Sequence, residues 1–455
     1  MIKTIFLSFL DKFKKNGFLT GSAIFFVSAT IVNLGNYLFN LILGRWLGPA
    51  AFSDLSIIVT LFLIVIFLTA TLQTITARFA AVHTSDGDEE KIARLRETML
   101  RWAWQIGGII LLVFALGAKF WQHFFHTQSA LPFVIFAAGL PFYLAQGVNR
   151  GILQGQTRFK ALALSYQAEM WTRLLFGIGF AYIGWGVEGG VAGLSLSFIA
   201  TWYASHYANR AIPKMPAIPV SEQKELLAYS GGVSVAYLSQ ILINNSDILI
   251  IKHFFSPEDA GQYAALALIG RVIFFATWAV VTTLFPIVAQ KHQRGERHAH
   301  LLGLGLGLVV LVSSVTISAS YFFPELIVSI LFGKAYLVMA PLLWLYAVAT
   351  SLYALANVIV NYQLSIGKST SSYIALLGGI AQVVVLSIWH ASLKQVVLLQ
   401  ILLMGIMLFI LLLGYGMKDI ATILGKIKAK SPVNSGLPNL ISTFPGSQTD
   451  SRQPR

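Results

Sequence analysis

The sequence predicts an all-α integral membrane protein. Twelve transmembrane helices form two six-helix lobes, related by a pseudo-twofold axis along the membrane normal. Three observations carry this. Of 455 residues, 56% are hydrophobic and 11% are charged, and the mean hydropathy is +0.73. Soluble domains carry about 25% charged residues, so these charges are too few to coat a soluble surface of this size. Twelve segments are long and apolar enough to cross a bilayer. One polar interruption also occurs twice, once in each half of the chain.

That interruption organises the rest. Asn40–Leu55 reads NLILGRWLGPAAFSDL: it closes the first apolar span, turns at Gly48-Pro49 and opens the second. Asp247–Tyr263, DILIIKHFFSPEDAGQY, does the same in the second half. Asn40 falls on Asp247, Arg45 on Lys252, Pro49 on Pro257, Ser53 on Gly261 and Leu55 on Tyr263, with one extra residue in the second copy. A repeat in the same orientation, recurring after an even number of spans, implies like halves with a cavity between them.

A spanning helix needs about 20 apolar residues. Spans 1–6 are placed at 21–43, 53–80, 101–121, 129–149, 160–183 and 186–208. Spans 7–12 are placed at 227–251, 259–289, 300–322, 337–361, 370–390 and 394–416. Spans 2 and 8 are long enough to project from the bilayer or to tilt. The domain plan is an N-terminal lobe (1–208, with an interfacial helix ahead of span 1), a linker (209–226) and a C-terminal lobe (227–417). A basic tail follows (418–455), its end rich in Ser, Pro, Gly and Asn. In the interfacial helix Ile2, Ile5, Phe9 and Phe13 share one face. Pro213, Pro216 and Pro219 punctuate the linker.

The net charge of +14 suits nucleic acid at first sight, but its distribution does not. Lys91, Arg94, Arg96 and Arg101 lie between spans 2 and 3, and Arg150, Arg158 and Lys160 between spans 4 and 5. Arg210, Lys214 and Lys224 lie between spans 6 and 7, and Lys291, Arg294 and Arg297 between spans 8 and 9. The opposite side holds Arg45, Lys119, Lys252, Lys334 and Lys394. Basic residues thus mark alternate loops and both termini as cytoplasmic. The chain has no cysteine, which excludes disulfides, thiolate metal sites and thiol redox chemistry.

Polar faces inside the spans mark the candidate site. In span 1, Thr30, Asn33, Tyr37 and Asn40 share a face; in span 7 the repeat-equivalent positions are Tyr237, Gln240, Asn244 and Asp247. Matched stripes in both halves suit a cavity lining, with interhelical hydrogen bonding as the plainer alternative. A charge at mid-bilayer costs about 2.5–3.5 kcal/mol on insertion scales, so it meets a partner or water. Glu169 and Arg173, four residues apart in span 5, can pair on one face with Tyr166. Arg271 in span 8 shares a face with Trp278 and Thr282 and needs a partner from another helix, Asp247 being one, or an anionic ligand. Arg78, with Gln73 on the same helix, sits at the cytoplasmic end of span 2, where snorkelling accounts for it equally well. Asp54 reads as a helix N-terminal acid. Gly303 and Gly307, like Gly189 and Gly193, read as close helix packing. Asp86–Arg96 reads as a capped, solvated cytoplasmic helix. His292, His298 and His300 read as solvated loop residues, and no metal or cofactor site is expected.

GRWLGPAAFSDL resembles the N-terminal signature of the Wzx-type polysaccharide flippases of the multidrug/oligosaccharidyl-lipid/polysaccharide exporter superfamily, and SPEDAGQYAAL is similar to that family's turn between helices 7 and 8. Ser53 stands where the family usually has glycine. The resemblance implies a non-enzymatic flippase that carries a polyprenyl-diphosphate-linked oligosaccharide across the bacterial plasma membrane, for surface polysaccharide such as lipopolysaccharide. Membrane lipids and polysaccharide polymerase or assembly proteins are the implied partners. Arg271, Arg173 and Arg78 would then meet the diphosphate, and Asn33, Tyr37, Asn40, Gln73, Gln240 and Asn244 the sugars. Asp247 and Glu169 would gate the cycle or couple an ion. A cation-coupled drug exporter and a cell-wall precursor flippase of the same superfamily remain alternatives. A membrane glycosyltransferase or polymerase fits less well, because the adjacent outer acids Glu258 and Asp259 lie in the repeat turn.

Overall fold

A computed structural model of the chain describes residues 17–219, 223–368 and 370–430. The expected interfacial helix ahead of residue 17 and the polar end of the tail lie outside these residues. The described residues are nearly all helical. They form α1 (Gly17–Ser85), α2 (Glu89–Leu116), α3 (Ala118–Phe124), α4 (Leu131–Gly155), α5 (Phe159–Phe180) and α6 (Gly186–Ala208). The second half forms α7 (Lys224–Phe254), α8 (Pro257–Gln293), α9 (Ala299–Phe322), α10 (Pro324–Leu331), α11 (Leu343–Ser365), α12 (Thr370–Ile388) and α13 (Leu393–Lys430). Each of the twelve expected spans is helical. Val27–Ser85 and Phe159–Ala208, apolar stretches of 59 and 50 residues, each supply two crossings. This is a multi-pass membrane protein. Residues up to Leu411 make one compact unit and those from Leu412 a second, whose described part is the end of α13.

The two repeat turns solve the same corner in different ways. In the first, α1 consists of two helical arms, spans 1 and 2, that break at Gly48, whose φ of 73° lies where L side chains are strained. Pro49 then opens the second arm, where its fixed φ and missing N–H cost nothing. In the second, Phe255 is extended and ends α7, and Pro257 starts α8. Ser256 caps α8: its Oγ accepts from Asp259 N (3.1 Å) and lies 2.9 Å from Asp259 Oδ2. The corner between α5 and α6 is a π-helical turn, Ala181–Trp185, with Gly184 and Gly186 at positive φ.

The halves pack alike. The first arm of α1 lies on α5, with Gly35 leaving room for Met170; α7 lies on α12, with Gly379 leaving room for Leu242 and Ile243. The second arm of α1 lies on α4, where Gly147 and Gly151 meet Thr69 and Thr76; α8 lies on α11, where Gly270 meets Tyr346. The third span of each half, α2 and α9, packs on the fourth, α4 and α11. These matched pairings are the pseudo-twofold relation expected of two like lobes.

Two expectations need correction. Asp86–Arg96 is not a separate solvated helix. Asp88 caps α2 through Lys91 N (2.9 Å), and Lys91's backbone and side chain hold the Asp88 carboxyl below its usual range. From there α2 runs straight into span 3, with Ile92, Leu95 and Arg96 buried, because nothing after Asp88 breaks the helix. Gly303 and Gly307 do not serve close packing, since a Cβ at either would meet open space. Gly189 and Gly193 do: Gly193 lies against Gly177, with no room for a methyl group.

Candidate functional site

A cavity of about 720 Å³ runs along the inner wall of the first half, walled by both arms of α1, α4 and α5, and is completed from the second half by Leu268 and Arg271 of α8. Periodicity explains its polar lining. Asn33, Asn36, Tyr37 and Asn40 lie on one face of the first arm of α1, and Gln73 lies on the facing side of the second arm. Gln146, Arg150 and Gln154 recur at every fourth position of α4. Tyr166, Glu169 and Arg173 form the inner face of α5. Aromatic rings, Phe25, Phe62 and Tyr143 among them, fill the intervals.

The charges in this wall form a buried cluster. Glu169 accepts from Arg173 Nη2 at 2.7 Å through one oxygen, and its other oxygen forms an ion pair with Arg150 Nη2 at 2.9 Å. Arg150 is also held by Ser165 (2.9 Å) and Thr201 (2.7 Å), with its guanidinium 3.5 Å from the centre of the Tyr166 ring. Arg173 donates to Asn36 Oδ1 (2.9 Å) and stands over Phe62, while its buried Nε has no partner. A charge buried this deeply persists only when paired and hydrogen-bonded, and the cluster nearly achieves that. It does not neutralise the cavity. Arg150, Arg173 and Arg271 face it, with Glu169 as the one carboxylate of the lining among the described residues. The cavity therefore carries an excess of positive charge.

The second half is built differently. Asp247 is buried (1% exposed) and accepts from Ile248 N (2.9 Å), Tyr346 Oη (3.1 Å) and Gln400 Nε2 (3.0 Å). Tyr263 Oη lies 2.9 Å from Asp247 and 3.0 Å from Gln400 Oε1, with one proton to share between them. The chamber around Asp247 has a volume of about 30 Å³, room for a water molecule and no sugar. Arg271 borders both spaces. It does not pair with Asp247, as one reading of the sequence allowed. Its Nη2 donates instead to Asn244 O (2.8 Å) and Asn245 Oδ1 (3.0 Å), because the three hydroxyl and amide groups around Asp247 already satisfy that carboxylate.

The expected site residues thus divide. Asn33, Tyr37, Asn40, Gln73, Glu169, Arg173 and Arg271 meet in the large cavity. Asn244 and Asp247 line the small chamber, and Gln240, beside Asn357 (3.5 Å), lines a neighbouring cleft. Arg78 is exposed and lies outside these linings, its guanidinium 5.9 Å from the Phe79 ring centre. The sequence reading placed Arg150 in a loop and passed over Asn36. Both were detectable. Arg150 continues the Gln146–Gln154 stripe with no breaker before Gly155, and Asn36 lies one turn from Asn33 and Asn40. Asp54 is not merely a helix-terminal acid: it is buried in an ion pair with Lys252 at 2.6 Å.

Residues 18–292 match the family described as polysaccharide biosynthesis protein. The chain belongs to that family. No curated protein matches it. Solved structures resemble it over most of both chains. One is the inward-facing conformation of a multidrug resistance MATE family transporter of the MOP superfamily, with TM-score 0.70, 14% identity and coverage of 87% of this chain and 96% of that one. A MATE protein in its straight conformation matches with TM-score 0.60, 14% identity and coverage of 89% and 96%. A MOP superfamily transporter from Pyrococcus furiosus, whose title describes a binding pocket of reverse polarity, matches with TM-score 0.54, 17% identity and coverage of 88% and 94%. At such identities the likeness establishes the fold, which agrees with the resemblance read from the two repeat turns. This member of the polysaccharide biosynthesis family has the fold of those multi-pass membrane proteins.

Proposed function

We propose that the chain is a flippase that moves a polyprenyl-diphosphate-linked oligosaccharide from the cytoplasmic to the outer leaflet of the bacterial plasma membrane. Its termini and the 209–226 linker are cytoplasmic, as their basic residues direct. The lobes rock about the cavity to expose it to each side in turn. The observation that carries this reading is the composition of the cavity wall: guanidiniums in excess over carboxylates, set among amides and aromatic rings.

The chemistry fits the cargo. Sugar hydroxyls drawn through hydrocarbon lose hydrogen bonds worth several kcal/mol each. Asn33, Asn40 and Gln73 replace those bonds, and Tyr37 and Phe25 offer ring faces to the sugar faces. Arg173 and Arg271, one from each lobe, meet the diphosphate with planar, always-charged donors. Binding would draw the lobes together around the headgroup while the polyprenyl tail stays in the bilayer. Glu169 keeps the empty cavity from repelling itself, and Asp247 in its small chamber gates the cycle or couples an ion. Arg78 takes no part in this reading. An excess of positive charge opposes a cationic drug as cargo.

The test is complementation of a deletion strain. Wild type restores surface glycan; Arg271→Ala at equal membrane levels leaves it absent, with the lipid-linked precursor held on the cytoplasmic side. Normal glycan from Arg271→Ala would remove that residue from the path. Normal glycan in the deletion strain itself would reject the flippase reading.

A further inference from the structure

The seam where the two lobes meet on the outer side has the same pseudo-symmetry as the lobes. α3 and α10 are equivalent short helices, each joining the third and fourth spans of its half. The last carbonyls of such helices have no partner within the helix. Each is met by a basic side chain from the repeat turn of the other lobe. Arg45 Nη1 donates to Ile330 O at 2.9 Å, and His253 Nδ1 stands 2.6 Å from Phe124 O. Tyr336 Oη donates to Gly44 O at 2.7 Å, Phe52 packs on Phe332 and Tyr336, and Gly261 lies so close to the Pro49 carbonyl that a Cβ would overlap it.

An asymmetric element sits inside this symmetric frame. Lys252 Nζ, at the end of α7, lies 2.6 Å from Asp54 Oδ1 and 2.7 Å from Ser53 Oγ at the start of the second arm of α1. Asp54 Oδ2 accepts from Gln128 N at 2.9 Å. Lys252 is 2% exposed and Asp54 5%. Neither half provides this acid–base pair by itself; the pair spans the seam. An apolar contact in the same place would favour the shut state alone. A buried ion pair differs, because its attraction is set against the hydration both charges regain on opening. It fixes the register of the closed seam and still leaves opening accessible.

We propose that Asp54–Lys252 is the latch of the outer gate, made while the cavity is closed to the outside and broken each time it opens there, when both charges pass into water. The identity of the cargo rests on the flippase reading above, but the state of the latch can be read without any cargo. Losing one partner strands the other as an unpaired buried charge in the shut seam, and so favours the open state.

The chain's lack of cysteine makes the test direct. Val59→Cys places one thiol on the cavity wall of the second arm of α1, and a membrane-impermeant maleimide added to intact cells reports opening to the outside. Lys252→Met and Asp54→Asn should each raise labelling at least fivefold, and the exchange Asp54→Lys with Lys252→Asp should lower it again. In a second experiment, Asp54→Cys with Lys252→Cys, bridged by a short bis-methanethiosulfonate cross-linker that spans the length of the lost side chains, should stop precursor flipping until the bridge is reduced. Unchanged labelling in correctly inserted single variants overturns the latch. So does continued flipping by the cross-linked form. If the single variants fail to insert, the exchanged pair decides: high labelling there rejects the latch as well. Labelling that responds as stated, in cells where no form of the protein flips precursor, supports the latch and overturns the flippase reading instead.

Discussion

The two halves share one architecture and divide the polar chemistry unequally. In the first, an open cavity of about 720 Å³ is lined by a cluster in which two arginines share one glutamate. In the second, a chamber of about 30 Å³ closes around one aspartate that tyrosines and a glutamine satisfy fully. Duplication supplied the same helix pairings to both. Their inward faces then differ, so that one half holds an open cavity and the other is compact. The difference teaches that a polar stripe on a spanning helix is ambiguous by itself. What separates a lining from an internal hydrogen-bond network is whether the facing helices stand apart or close in. Tyr263, Tyr346 and Tyr353 fill the second half, where Gln73, Asn36 and Asn40 leave the first one open.

The sharpest way to break this comparison is to remove each half's acid. Glu169→Ala leaves Arg150 and Arg173 buried without their shared counter-ion, and breaking such a network costs about 3–5 kcal/mol. The expected result is a large fall in thermal stability in detergent together with loss of transport. Replacing both Arg150 and Arg173 by Met alongside Glu169→Leu, which removes every charge of the cluster, should recover most of the stability and none of the transport. Asp247→Asn is milder. It keeps the shape and one acceptor, so the stability cost should be about 1–2 kcal/mol, while precursor flipping falls if the carboxylate couples an ion. Equal destabilisation by the two changes would show that the halves do not differ in the way drawn here.

Arg271 joins the two spaces, and its removal ranks next. In Arg271→Ala the carbonyl of Asn244, beside the small chamber, and the buried side chain of Asn245 each lose a donor, so the fold should weaken by about 1–3 kcal/mol. Precursor binding should weaken by at least tenfold, as expected for one charged hydrogen-bonding contact of about 1.5–3 kcal/mol, measured with purified protein and a fluorescent lipid-linked precursor. Arg271→Lys should recover little of the loss, because a single ammonium cannot reproduce a planar two-point contact with phosphate.

Much of this was legible in the sequence, for physical reasons. Span number, lobe relation and turn positions follow from lipid and backbone geometry: a helix must be about 20 residues long to cross, and Gly48-Pro49 can only be a bend. The Glu169–Arg173 pair followed because neighbours four apart on a helix are fixed by the helix itself. Contacts between helices were not legible. Arg150 meets Glu169 through the packing of α4 on α5, and Asp54 meets Lys252 across 198 residues of chain. Neither distance is encoded in local periodicity. The assignment of Arg150 to a loop had a second cause. Positive-inside reasoning treats arginines near a span's end as loop residues, whereas α4 carries this one a further turn inside before ending at Gly155.

Glycines offer the smallest and cleanest contrast, because the sequence read four of them alike and the structure separates them. Gly193 lies against the backbone of Gly177, so α5 and α6 pack closely in the first half. Gly193→Ala should force those helices apart and destabilise the protein by about 1–3 kcal/mol through overpacking. Gly303 in α9 of the compact half meets nothing within reach of a new methyl group. There Ala removes backbone freedom from the unfolded chain without meeting a clash, so Gly303→Ala should stabilise by about 0.5–1 kcal/mol and leave transport unchanged. Melting temperatures of the two variants, measured side by side in one detergent, should move in opposite directions. If both fall, α9 has a close neighbour when the protein sits in its membrane, and its face at Gly303 is a contact surface.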